Sequence, residues 1–131
     1  MTLGPAADRL LRRWAAQSMA KAAVGQAVCA AWLDQLCADY CQSLLAQAGE
    51  GAYLTPPFSP GYGDMPIAQT REICEVLSAQ RAIGLTVSAG GVMIPRKSVT
   101  AVMGVSAVPV ARRPSGCEGC AARETCALRR R

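Results

Sequence analysis

A chain of 131 residues holds one domain or part of one, and it buries roughly two-thirds of its unfolded surface, enough to fold without disulfides. It contains no histidine, which excludes Ser–His and Cys–His nucleophile pairs, imidazole metal ligands and the usual general base near neutral pH. The net charge is +5, and six arginines against two glutamates from Arg112 onward supply +4 of it, leaving the rest of the chain at +1. Such a basic end meets an acidic protein, a phosphate-bearing ligand or nucleic acid, or simply keeps the terminus soluble.

Residues 2–17, "TLGPAADRLLRRWAAQ", open with glycine and then proline, the arrangement of a helix start. Leu10, Leu11 and Trp14 fall at helical spacing, with Arg9, Arg12 and Arg13 beside them. A second helix is predicted from about Ser18 to Ala48, with Val24, Val28, Ala31, Leu36, Tyr40 and Leu44 as its buried stripe. Its first half is apolar nearly all round, which implies burial on more than one face. Residues 19–33, "MAKAAVGQAVCAAWL", are too short and too polar to span a bilayer, and no cleavage pattern follows them. A soluble, cytoplasmic protein is expected.

Residues 49–66 read as a loop rich in glycine and proline. The stretch "PIAQTREICEVLSAQRAIG" reads as one helix, with Ile73, Val76 and Leu77 on one face and Gly84 just past its end. Two extended segments follow, Leu85–Ser88 and Val99–Val105, rich in valine and threonine and separated by "SAGG". Met1, Thr2 and Leu3 run straight into the first helix with no preceding strand. Two strands alone are marginal, so either a partner supplies more or the chain is the C-terminal portion of a larger fold. The order of elements predicts an α+β layer fold over residues 1–110, with a basic, Cys-rich tail at 111–131.

Seven cysteines in a chain with no convincing secretory signal fit a reducing compartment better than a disulfide framework. In the tail, Cys117, Cys120 and Cys126 place three thiols within ten residues, and the two-residue gap between the first pair suits two thiolates gripping one metal. Arg123 and Arg129 nearby favour the thiolate. A fourth position falls to Cys74, another chain, a substrate or water, with zinc or an iron–sulfur cluster as the expected metal; the other reading is a redox or disordered thiol tail. Cys29, Cys37 and Cys41 lie on the long helix and read as buried small hydrophobes.

Four stretches then carry a resemblance: "TLGPAADRLLRR" at 2–13, "FSPGYGDMP" at 58–66, "AQRAIGLTVSAGGVMIPRKSVTAVMGV" at 79–105, and the terminal cysteine–arginine cluster. In order and spacing they resemble the activation domain of cobalamin-dependent methionine synthase, especially the short stand-alone bacterial type, apparently without its N-terminal part. The resemblance implies that the domain binds S-adenosylmethionine against an antiparallel sheet. It also implies docking on a corrinoid-binding partner, whose cobalamin is remethylated after reduction. Carried onto this sequence, the ligand-holding loop is Ser59, Pro60, Gly61 and Tyr62, and catalysis belongs to the partner and not to this chain alone.

The loop residues suit that role on physical grounds. Pro60 fixes the chain entering Gly61, which allows close backbone approach. Tyr62 offers a flat face for a sulfonium or adenine, and Asp64 a carboxylate for a ribose hydroxyl or an amine. Two positions depart from the family. Pro57 stands where an arginine would pair with the methionine carboxylate, and Ala89 where a glutamate is usual. Arg71, Arg81 and Arg96 are the candidate substitutes. The alternative function is a metal or iron–sulfur redox protein acting through the tail cysteines, with a degenerate S-adenosylmethionine pocket. An acidic electron-transfer protein and a homo-oligomer are further expected partners. Nucleic acid is not expected, because few aromatics accompany the terminal arginines.

Overall fold

A computed structural model describes residues 1–110 together with 117, 119 and 124–127. The remaining tail positions, Cys120 among them, lie outside the described residues. Thr2 Oγ1 accepts a hydrogen bond from the Gly4 amide at 3.0 Å, and Pro5 occupies the first turn of α1 (Gly4–Gln17), where no amide hydrogen is needed. Ser18 then breaks the helix with an extended backbone, and its hydroxyl accepts from the Lys21 amide at 3.3 Å to cap α2 (Met19–Gln47). A single residue thus turns one helix back on the next.

The two helices meet where a side chain is missing. A Cβ at Gly25 would stand 2.6 Å from the Trp14 ring and 3.0 Å from Leu11 Cδ2, so the indole lies directly on α2 backbone. Lys21 Nζ sits 5.4 Å from the centroid of the same ring, a cation–π contact. Leu11, Ala22, Gly25 and Leu33 are the buried residues of this pair. The stripe expected from periodicity is therefore corrected: Val24, Val28 and Tyr40 are exposed, and the apolar first half of α2 is covered on one side only. Glycine, which carries no weight in a hydrophobic pattern, decides the buried face.

The sheets are short and antiparallel. β1 (Tyr53–Leu54) pairs with β4 (Val105–Ser106), with Tyr53 opposite Ser106. The ladder continues as the Thr55 amide donates to Gly104 O at 2.9 Å, and it resumes where Phe58 and Val102 exchange both backbone bonds at 2.9 and 2.8 Å. Leu54 to Phe58 spans four steps against three from Val105 to Val102, so one residue is extra at Pro56–Pro57. Neither proline has an amide hydrogen to lose from the ladder, which makes this a natural bulge. β2 (Thr86–Val87) and β3 (Met93–Ile94) form a separate hairpin.

Three expectations change here. The segment 99–105 is not one strand: its end pairs with β1, which the sequence hid inside the glycine–proline loop. The N-terminus is not strandless, since Thr2 bridges Ser98 and the Leu3 amide donates to Lys97 O at 2.9 Å. The single helix expected over 66–84 is two, α3 (Gln69–Val76) and α4 (Ala79–Ile83). Ser78, at φ 49°, is left-handed and breaks the run, which the pattern of apolar residues does not register.

A second small core gathers Cys74, Ala79 and Leu85, with Val87 and Met93 packed against it. Helices and small antiparallel sheets together make the fold α+β. Among the described residues, no helix is long and apolar enough to cross a membrane.

Candidate functional site

The loop at 58–66 is closed by its own backbone. The Gly61 amide donates to Met65 O at 2.8 Å, the Tyr62 amide to Ser59 O at 3.3 Å, and the Met65 amide to Tyr62 O at 3.1 Å. Gly61 and Gly63 both take positive φ, at 93° and 55°. A Cβ at Gly63 would stand 3.1 Å from Phe58 Cζ, so the chain folds across that ring. Pro60 is buried beneath the turn. The consequence is a rigid presentation of Tyr62, whose side chain is 70% exposed and serves no core.

That ring borders a cavity of about 510 Å³, within the range of small-molecule sites. Ser59, Pro60 and Tyr62 line it from the loop, with Pro57 beside them. Thr70 at the start of α3, Gly91 and Met93 of the hairpin, and Ser98 and Thr100 complete the wall. Thr70 is 2% exposed and is the most deeply buried polar residue among those described. The structure therefore brings the 58–66 loop against the segments that carry the hairpin and residues 98–100.

Charge distinguishes the cavity. Among the described residues lining it, Asp34 of α2 is the single ionisable acid or base apart from the Tyr62 phenol. Arg71, Arg81 and Arg96 do not line it. Arg71 donates to Ser88 O at 2.8 Å and, with Arg81, lines a different cavity by Cys74. Arg96 lines a third, beside Asp8, whose carboxylate accepts from the Arg96 amide at 2.8 Å. Asp64 is exposed and does not line this cavity, whose one carboxylate is that of Asp34 from α2. Gly61 shapes the turn without lining the cavity.

Asp34 is the site residue that sequence reasoning missed. It sits in the polar late half of α2, and no local spacing marks it, because its neighbours in the cavity are more than twenty positions away.

The cysteines divide by exposure. Cys117 is half-buried and Cys126 exposed, both as free thiols, while Cys74 is buried in the second core. Among the described residues, no three His, Cys, Asp or Glu side chains gather as a metal group. Burial pushes the Cys74 thiol above its ordinary range, which lowers its thiolate fraction at any given pH. Native labelling with iodoacetamide at pH 8 is expected to modify Cys126 first and Cys74 last. Peptide mapping of a time course reads the order, and early alkylation of Cys74 would contradict the burial.

No family model matches the chain, and no curated protein is significantly similar to it in sequence.

Proposed function

We propose that the chain is an accessory activation module of a cobalamin-dependent methionine synthase-type system, binding S-adenosylmethionine and docking on a corrinoid protein. The observation that carries this reading is one cavity lined by the exposed Tyr62 ring and the Asp34 carboxylate, with no cation among its described lining residues. A sulfonium, an ammonium and an adenine are the groups such a wall favours. The tyrosine face attracts the sulfonium by about 0.5–2 kcal/mol, and Asp34 complements either positive centre. Ser59, Ser98 and Thr100 offer hydroxyls for the ribose or the amino acid end. The ligand carboxylate has no arginine here and keeps water as its partner, so the fit rests on the cationic end.

When bound, S-adenosylmethionine supplies a methyl group to the partner's reduced corrinoid. The protein's own part is to bind and orient. The closed turn from Ser59 to Met65 holds the Tyr62 ring in place, and Asp34 anchors from the opposite element.

Equilibrium dialysis with labelled S-adenosylmethionine, with and without a corrinoid protein, tests the reading. Tyr62→Ala is expected to weaken binding roughly 2- to 30-fold, the equivalent of the lost cation–π contact. Asp34→Asn is expected to weaken it as well, and S-adenosylhomocysteine, which lacks the sulfonium charge, should bind less tightly than S-adenosylmethionine. Absence of binding to the unaltered chain under both conditions would remove the ligand from the proposal.

A further inference from the structure

Two cysteine–methionine sulfur pairs lie along the later half of α2, and nothing in the function above uses them. Cys37 and Cys41 are one helical turn apart and so share a face. Cys37 Sγ lies 3.7 Å from Met1 Sδ, and Cys41 Sγ lies 3.5 Å from Met103 Sδ. The two methionines arrive from distant parts of the chain. The Val99 amide donates to Met1 O at 3.0 Å, fixing the first. The second is followed by Gly104, whose amide donates to Thr55 Oγ1 at 2.8 Å. Three backbone segments thus set a thioether against each of two thiols that share a helix face.

Within each pair the spacing is that of two ligands of one ion. Two sulfurs bound at ~2.3 Å with a near-tetrahedral angle stand ~3.7 Å apart, close to the 3.7 and 3.5 Å within the two pairs, and the one-turn offset of Cys37 and Cys41 puts the pairs side by side on one helix face. The donor set also selects the ion. Thioethers bind hard and borderline cations poorly and copper(I) well, whereas zinc sites are built from thiolate, imidazole and carboxylate. Two thiols without a third such ligand fall short of a structural zinc site, and the described residues hold no cluster of that kind. The methionines complete a soft set instead.

We propose that Cys37, Cys41, Met1 and Met103 form a copper(I) site. The metal enters already as Cu(I), each cysteine loses its proton to solvent as its Cu–S bond forms, and no electron is transferred. The methionine sulfurs each donate a lone pair and lose nothing. Both cysteines, expected from sequence to be buried, are only partly so, which leaves the ion a way in. None of these four residues lines the Tyr62 cavity.

The test uses the full chain with Cys117, Cys120 and Cys126 all changed to serine, so that the tail does not compete. Titrated anaerobically with Cu(I) against a chromophoric chelator, it is expected to take one ion per chain, with sulfur-only coordination in X-ray absorption. Excess Zn(II) should not displace it. In that background Cys37→Ser with Cys41→Ser should abolish binding. Met103→Leu, which keeps the shape and removes one thioether, should weaken binding at least about tenfold while leaving the apo-protein's melting temperature unchanged. Should the double serine variant fail to fold by circular dichroism, Met103→Leu decides. Failure of the three-serine chain to hold Cu(I), or Cu(I) affinity unaltered by Met103→Leu, would overturn the site and leave four sulfurs that merely pack.

Discussion

Gly25→Val is expected to destabilise the protein by about 2–3 kcal/mol, measured as a fall in the urea midpoint at constant slope. In isolation the change should help, since glycine in a helix interior costs about 1 kcal/mol relative to alanine and somewhat less relative to valine. The contact with α1 reverses the sign. The first added carbon would already lie 2.6 Å from Trp14 Cε3 and Cζ3, closer than any tolerated contact, and 3.0 Å from Leu11 Cδ2. Valine adds two methyls beyond it. Trp14 can relieve the clash only by swinging away, which abandons Lys21 at 5.4 Å and uncovers Leu11, itself only 5% exposed. Gly25→Ala should show the same conflict in milder form, a loss of about 0–2 kcal/mol as overpacking and helix propensity nearly offset. The decisive control is Trp14→Ala combined with Gly25→Val. If the two residues collide as described, the pair should lose less than the sum of the single changes. Additive losses, or a Gly25→Val chain as stable as the original, would mean that α1 does not rest on α2 at this point.

The same position explains how much of the fold the sequence discloses. The existence of α1 and α2, and the break at Ser18, follow from proline and serine placed where helix ends need them. The buried face of α2 does not follow, because the docking site is a glycine and the valines on either side of it compete for the same reading. β1 was hidden for a different reason. Tyr53 and Leu54 stand inside a run of glycines and prolines, and the partner that makes them a strand, Val105–Ser106, is about fifty residues away. Ser78 shows a third kind of failure, a left-handed residue whose type does not announce it. At the site, the turn chemistry of Pro60, Gly61 and Gly63 is local and was legible. The charge of the cavity was not, because Asp34 joins it only through the packing of α2. The expected carboxylate, Asp64, has the right chemistry but does not border the cavity. Cys37 and Cys41 illustrate the same limit: their shared helix face was visible, their thioether neighbours were not.

Leu85→Ala should be the costliest single truncation in the second core, about 2–4 kcal/mol. Leu85 is 3% exposed and packs with Cys74 and Ala79, and Val87 and Met93 lean on that cluster from the hairpin. Removing its side chain leaves a void that small neighbours such as Ala79 cannot fill. By contrast, Val76→Ala, at a side chain 85% exposed, should change stability by no more than about 0.5 kcal/mol. The comparison matters because a domain of this size has only about 5–15 kcal/mol in total, so Leu85→Ala takes a substantial share of it. Met93 carries the effect further, since it also lines the Tyr62 cavity. The truncated chain should bind S-adenosylmethionine more weakly and yet be stabilised by it, because a ligand at a hundred times its dissociation constant adds about 2.7 kcal/mol to whichever protein binds it folded. Thermal melts of the unaltered chain, Leu85→Ala and Leu85→Ala with Tyr62→Ala, each with and without ligand, separate the two contributions. A ligand-dependent rise in melting temperature that is smaller for Leu85→Ala than for the unaltered chain, and smaller again in the third, ties the core to the cavity. A full-sized rise in the third would place the ligand somewhere other than against Tyr62, and a Leu85→Ala chain as stable as Val76→Ala would dissolve the core on which the hairpin stands.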